Sequence, residues 1–270
     1  MKFGIEVVPF GIYSDPRNVV ELAQVAEAAG WEGLWIWDHV LFPYGVGDPW
    51  ISLAAVAAAT KTIRLCTGIS PMPRYRPHLL ARMLTGLDIL SQGRVIFGTG
   101  LGVASDFSPF GEPDDDKTRA EMTDEGLDLL EILLSGEQFS HTVKYYTAKN
   151  VRLEPTPLQK PRIPVWVGGD SPAALRRAAH WDGWIIDTVS ENQEILKTPA
   201  QLSLQTRYIL EHRSSKEPFD IAVDGISSPG RSALALEYEQ AGATWWFECI
   251  YGSRGSSDEM LDRVKAGPPT

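Results

Sequence analysis

From end to end the chain alternates short apolar runs with longer amphipathic stretches. Residues 2–8, 32–37, 63–69, 165–167, 184–187, 219–224 and 243–248 are rich in β-branched or aromatic side chains and read as strands buried on both faces. A further strand starts at residues 94–97 and ends in Gly98, Gly100 and Gly102. Between these runs the apolar residues recur at helical spacing. Val19, Leu22, Ala23, Ala26 and Ala29 line one face of a helix that Asp15-Pro16 caps and Gly30 ends. Leu79, Leu80, Met83, Leu84, Leu87 and Leu90 line another. Helices are also predicted over residues 49–59, 118–134, 173–180, 201–212, 232–240 and 258–265. Residues 139–153 alternate weakly and read as a surface hairpin. Eight strands, each followed by a helix, predict a parallel sheet that closes at this length into a (β/α)8 TIM barrel. An open doubly wound sheet is the alternative. No break in composition divides residues 1–270, so one domain is expected.

Composition narrows the classes. A chain of 270 residues can bury a large core without staples, and its 43% hydrophobic content argues against disorder. The formal charge of −10 disfavours nucleic acid, whose phosphates demand a basic face. No apolar run approaches the ~20 residues of a membrane span. The N-terminus starts a strand at once and lacks the apolar region and cleavage site of a signal peptide. Cys66 and Cys249 read as reduced core residues, and the expected compartment is the cytoplasm. Asp114-Asp115-Asp116 reads as a solvated loop before a helix. The five histidines, His39, His78, His141, His180 and His212, show no ligand spacing, so no metal site is expected.

In a barrel the chemistry gathers at the C-terminal ends of the strands. Those ends carry Glu6, Asp38-His39, Gly68-Ile69, the glycine run 98–102, Gly168-Gly169-Asp170-Ser171, Asp187, Asp224 and Glu248. His39 has the residue type suited to moving protons near neutral pH. The glycine run is not a dinucleotide fingerprint, because Val103 stands where the third glycine belongs and a loop follows. The turn at 168–171 precedes a helix, where free amides attract phosphate. Asp170 suits that role only if its carboxylate faces away, and Arg74 and Arg176 are candidates to assist. Glu248 follows Trp245-Trp246-Phe247, an aromatic setting that would raise its pKa, which makes it a candidate acid. Trp37, Trp50, Phe107, Phe110 and Trp245 are candidate walls for a hydrophobic substrate.

Four motifs stand in order between residues 62 and 102: Thr67-Gly68-Ile69, the loop from Arg74 to Pro77, the helix end Leu87-Asp88-Ile89-Leu90-Ser91-Gln92-Gly93-Arg94, and the glycine run. In this order they resemble the bacterial-luciferase-like family of flavin- and deazaflavin-dependent oxidoreductases. The resemblance implies a compact barrel of that kind with FMN or the deazaflavin F420 across its mouth. It places Asp38-His39 beside the redox ring, with His39 moving a proton. It also implies a cis peptide at Gly68–Ile69 under the ring, Gly100 and Gly102 nearby, and the cofactor phosphate at Gly168, Gly169, Asp170 and Ser171. With FMN a partner flavin reductase and oxygenation of a small organic substrate are implied; with the deazaflavin, hydride exchange. A homodimer is implied as well. Val103 departs from the Glu or Trp that family members carry after the glycine turn, so a sugar phosphate is not the expected substrate. Two other readings remain: a carboxylate-based barrel hydrolase using two of Glu6, Asp38, Asp187, Asp224 and Glu248, and a flavin-binding barrel without catalysis.

Overall fold

Strand β1 (Lys2–Val7) is followed by helix α1 (Pro16–Ala28), and the same alternation continues along the chain. Next come β2 (Gly33–Ile36), α2 (Pro49–Ala59), β3 (Arg64–Pro71), α3 (Pro77–Leu90), β4 (Val95–Gly100) and α4 (Asp116–Ser135). A hairpin of β5 (Phe139–Thr142) and β6 (Thr147–Val151) interrupts the pattern. It resumes with β7 (Val165–Gly168), α5 (Pro172–His180), β8 (Gly183–Ile186), α6 (Pro199–His212), β9 (Asp220–Gly225), α7 (Ala233–Gln240), β10 (Trp245–Ile250) and α8 (Ser257–Lys265). The computed structural model describes residues 1–42, 45–190, 192–230, 232–251 and 253–269.

Eight parallel strands close in the order β1-β10-β9-β8-β7-β4-β3-β2, so the barrel forms and the open sheet does not. The hairpin pairs separately as an antiparallel two-stranded sheet. Local signals set the helix starts. Asp15, Asp48, Asp115 and Ser171 each accept a backbone N–H of the first turn, and Thr198 and Ser256 form capping boxes. Asp115 and Asp116 thus open α4, as a solvated acidic loop before a helix should. Among the described residues no helix is long and apolar enough to cross a membrane.

The interior fills in two shells. Between strands and helices lie residues such as Ile5, Leu34, Leu65 and Val223. Inside the barrel Trp35, Trp166, Trp245 and Phe247 pack with Cys66, Ile96, Ile185 and Ala222. The rings of Trp245 and Phe247 stack with centroids 5.4 Å apart. Such bulk needs room on neighbouring strands. A Cβ on Gly183 would fall 2.3 Å from Trp166, and one on Gly4 2.4 Å from Phe247.

β3 runs past the expected end at residue 69. Its pairing with β4 shifts register between Thr67 and Ser70, then resumes at Ser70–Thr99. The Gly68–Ile69 peptide inside this bulge is cis, in agreement with the resemblance.

Candidate active site

The bulge in β3 forms the floor of a cleft of about 350 Å³ at the C-terminal mouth of the barrel. Gly68 admits no side chain, because a Cβ there would lie 1.5 Å from Trp35 Nε1. That indole nitrogen instead donates to the Gly68 carbonyl at 2.7 Å. Ile69 lies over Gly100 and Gly168, where added Cβ atoms would sit 3.1 and 2.0 Å from its side chain. Gly102 has φ +70, and a Cβ would crowd Pro71 at 2.7 Å. Gly169 has φ +100 at the turn into α5. Asp170 also lines the cleft and is paired there, with Lys197 Nζ at 3.2 Å from Oδ2.

His39 stands on the cleft wall, partly exposed. Its Nδ1 lies 2.9 Å from Asp106 Oδ2. An ionised carboxylate only accepts, so Nδ1 carries the hydrogen and Nε2 is left as the ring's acceptor. Asp106 is buried, and its other oxygen accepts the Leu41 N–H at 3.2 Å. Arg74 reaches Asp106 at 3.3 Å and also binds the Asp38 carboxylate. Asp38 is buried and further holds the Tyr75 hydroxyl at 2.7 Å, to which Trp50 donates at 2.8 Å. The two adjacent residues of the Asp38-His39 motif therefore act apart. Both border the cleft; His39 pairs with Asp106, while Asp38 binds Arg74 and Tyr75. Burial and the Asp38 charge raise the Tyr75 hydroxyl, and it stays protonated.

The acids of the cleft are largely matched. Asp38 and Asp106 share Arg74, Asp116 pairs with Arg119 at 2.5 Å, and Asp170 pairs with Lys197. Asp187 is exposed where it opens onto the cleft, on the side of His39. Glu6 and Asp224 lie deeper, both buried at the upper end of the barrel interior. Burial and then Asp187 push Glu6 up to about 8; burial and then Glu6 raise Asp224 well above the usual carboxylate range.

Three expected positions fall elsewhere. Glu248 lies on the outer face of β10, not at the mouth. It is fully buried there, with Arg254 at 2.6 Å, Arg263 at 3.3 Å and the Ser227 hydroxyl at 2.6 Å. It is a structural anion, because strand alternation turns Phe247 and Cys249 inward and Glu248 outward. Arg74 faces Asp38 and Asp106, not the turn at 168–171. Arg176 is exposed on α5 and holds Tyr208 at 2.8 Å. Of the expected wall aromatics Trp37 lines the cleft. Trp245 sits at the opposite end of the barrel beside Lys2, Phe107 packs beneath Gly102, and Phe110 is exposed. Asp106 is a site residue that the sequence does not single out; its one signal there is that it follows the glycine turn.

The residues present fit a flat ring joined to a phosphate. The floor carries the 68–69 peptide and glycines without side-chain polar groups. One end of the cleft meets a helix N-terminus whose nearby carboxylate, Asp170, is paired with Lys197. A single proton-carrying ring, His39, stands at the side.

A sequence model of the luciferase-like monooxygenases matches residues 1–203. The chain is 34% identical over 181 residues to the F420-dependent hydroxymycolic acid dehydrogenase of Mycobacterium tuberculosis, a match covering 62% of this chain and 48% of that protein. It is 30% identical over 194 residues to the 4-hydroxyprotoasukamycin monooxygenase of Streptomyces nodosus subsp. asukaensis, covering 66% of this chain and 52% of that one. The chain thus spans about half the length of these curated relatives. The solved structure of an F420-dependent secondary alcohol dehydrogenase in complex with an F420-acetone adduct superposes with a TM-score of 0.82 at 17% identity, covering 99% of this chain and 98% of that one.

Proposed function

The chain belongs to the luciferase-like monooxygenase family, and on that premise we propose that it is an oxidoreductase using a flavin-type cofactor, F420 or FMN, on a small organic substrate. The observation that carries this reading is the cleft itself: a floor formed by the Gly68–Ile69 peptide and neighbouring glycines, a helix start at 168–171, and His39 on the wall. A relative named for F420 and another named as a monooxygenase support the two branches of the cofactor choice. The cofactor would supply hydride transfer if it is F420, or oxygen activation if it is FMN.

The protein's own residues bind, orient and move protons. The amides at the start of α5 would hold the phosphate, while the Ser171 hydroxyl accepts the Ala174 N–H at 3.2 Å as the helix cap. The Gly68–Ile69 peptide, with the Trp35 indole donating to the Gly68 carbonyl, would form the floor for the ring. His39 Nε2 accepts or returns the proton of the substrate's reacting group, and Asp106 supports the charged imidazolium. A carboxylate-based hydrolase is less well supported, because Glu248 faces away from the mouth and Asp38 is bound to Arg74 and Tyr75.

The direct test is titration of purified protein with F420 and, separately, FMN, followed by ring absorbance and fluorescence. Saturable binding of one supports the reading and names the branch. Binding of neither at high micromolar concentration overturns it. A homodimer is also expected, and sedimentation as a monomer would contradict that.

A further inference from the structure

A second chamber, of about 580 Å³, adjoins the cleft and shares Trp37 with it. Its walls include Phe10, Tyr13, Trp37 and Tyr251, with Val8, Val189 and Met260 between them. Phe10 meets the Trp37 ring edge-on at 6.3 Å. Asp224 lines the chamber, and Glu6 and Cys249 stand behind it, with polar atoms of the three within 4.8 Å of one another. Each carboxyl has one oxygen held by a fixed donor: Trp37 Nε1 binds Glu6 Oε1, and the Thr188 N–H binds Asp224 Oδ1. Glu6 Oε2 is buried without a hydrogen-bond partner. Among the described residues that line the chamber there is no lysine, arginine or histidine. Arg254 and Arg263 are matched to Glu248 on the outer face.

We propose that this chamber is the substrate site and is built for a lipophilic organic ammonium ion, with aromatic rings around the cation and the Glu6–Asp224 carboxyl pair opposite its charge. The inference rests on the reading that the adjoining cleft holds the redox cofactor. The physical case is one of missing countercharge. Two buried carboxyls without a basic neighbour are costly to ionise alone, and a cation of the right shape supplies the partner. Faces of Trp, Tyr and Phe attract ammonium groups, most strongly where water is excluded. An anion would meet the pair with nothing to offset it. A neutral molecule would fill the aromatic walls but leave the pair unmatched.

The groups around the pair add a pH dependence. Asp224 faces Glu6 on β1, Cys249 on β10 and Asp187 beyond β8, with Tyr238 of α7 and Tyr251 nearby. Without a bound cation, burial favours the protonated form of both carboxyls. Entry of a cation expels a proton, so its affinity rises with pH while that of a neutral ligand does not.

Calorimetric titration with three probes of similar shape decides the matter: benzyltrimethylammonium, its neutral carbon isostere neopentylbenzene, and phenylacetate. The ammonium is expected to bind about tenfold or more tighter than the isostere, phenylacetate more weakly than either, and only the ammonium to tighten between about pH 6.5 and about pH 8.5. Asp224→Asn should remove most of the preference. If that variant does not fold, the three probes on the unaltered protein still decide. Equal or tighter binding of the neutral isostere, binding of phenylacetate as tight as the ammonium, or no binding of any probe overturns the proposal. Cofactor titration on the same preparation separates the two failures. Cofactor binding without ammonium preference removes only this inference, and ammonium preference without cofactor binding removes the redox reading.

Discussion

His39 is held by one carboxylate, and that carboxylate is held by a guanidinium that a second carboxylate also binds. The chain Asp38–Arg74–Asp106–His39 fixes the tautomer of one ring at the edge of the cleft. His39→Ala should therefore leave cofactor affinity within about twofold and lower turnover by ~10²–10⁴; steady-state kinetics beside a cofactor titration checks both. Asp106→Asn keeps an acceptor for Nδ1–H but removes the charge that favours imidazolium. It should shift the pH profile of turnover more than it changes cofactor binding. Glu6 gives a prediction about stability. Its carboxyl rises from 4.5 to about 8 on folding, so between those values the folded chain keeps a proton that the unfolded chain has released. Stability then falls as pH rises through that window, by at most ~1.4 kcal/mol per pH unit from this group, and is unaffected by it below the window. Glu6→Gln should flatten the slope in urea unfolding measured across the window; an unchanged slope would assign the pH dependence to other groups.

At the scale of elements, the motif that makes the sequence recognisable is mostly structural. Asp88 accepts the N–H groups of Leu158 and Gln159 at 2.8 and 3.1 Å and the Gln159 side chain at 2.8 Å, tying α3 to the return loop before β7. Gln92 and Gly93 turn with φ 58 and 83. Arg94 reaches the carbonyls of Ala57, Thr60, Ile63 and Ser91 within 3.0 Å, closing the end of α2 onto β3 and β4. Four carbonyls lose their donor together in Arg94→Ala, which should destabilise the fold by ~2–4 kcal/mol in chemical denaturation, with Arg94→Lys recovering only part. The elements are legible in the sequence because caps, prolines and periodicity act locally. Facing is not. Every residue of β10 is buried on one face or the other, so hydrophobicity alone cannot tell which parity points inward. That is how Glu248 reads as a mouth residue, and why Trp245, at the far end of the same strand, reads as a pocket wall. Phe10 and Tyr251 each closely follow a strand, yet a search of strand ends for polar groups passes over both.

Across the whole molecule the two cavities differ in how much of the chain they draw on. Every residue lining the cofactor cleft lies between Trp37 and Asp187, inside the matched residues 1–203. The second chamber borrows Asp224, Tyr251 and Met260 from the part beyond it. The remainder of the chain still completes the barrel, since β9 and β10 close the sheet onto β1. A cleft drawn from residues 37–187 and a chamber that also uses residues 224–260 should respond separately to substitution. Gly169→Asp places a charge, on a backbone at φ +100, where the phosphate would bind; cofactor affinity should fall about tenfold or more, with chamber ligands unaffected. Tyr251→Ala removes one aromatic wall and should weaken benzyltrimethylammonium by about threefold to tenfold, with cofactor affinity within about twofold. Both variants titrated with both ligands give a four-way comparison. Crossed losses, each confined to one ligand, fit two sites that meet at Trp37; parallel losses would mean that the cleft and the chamber act as one site.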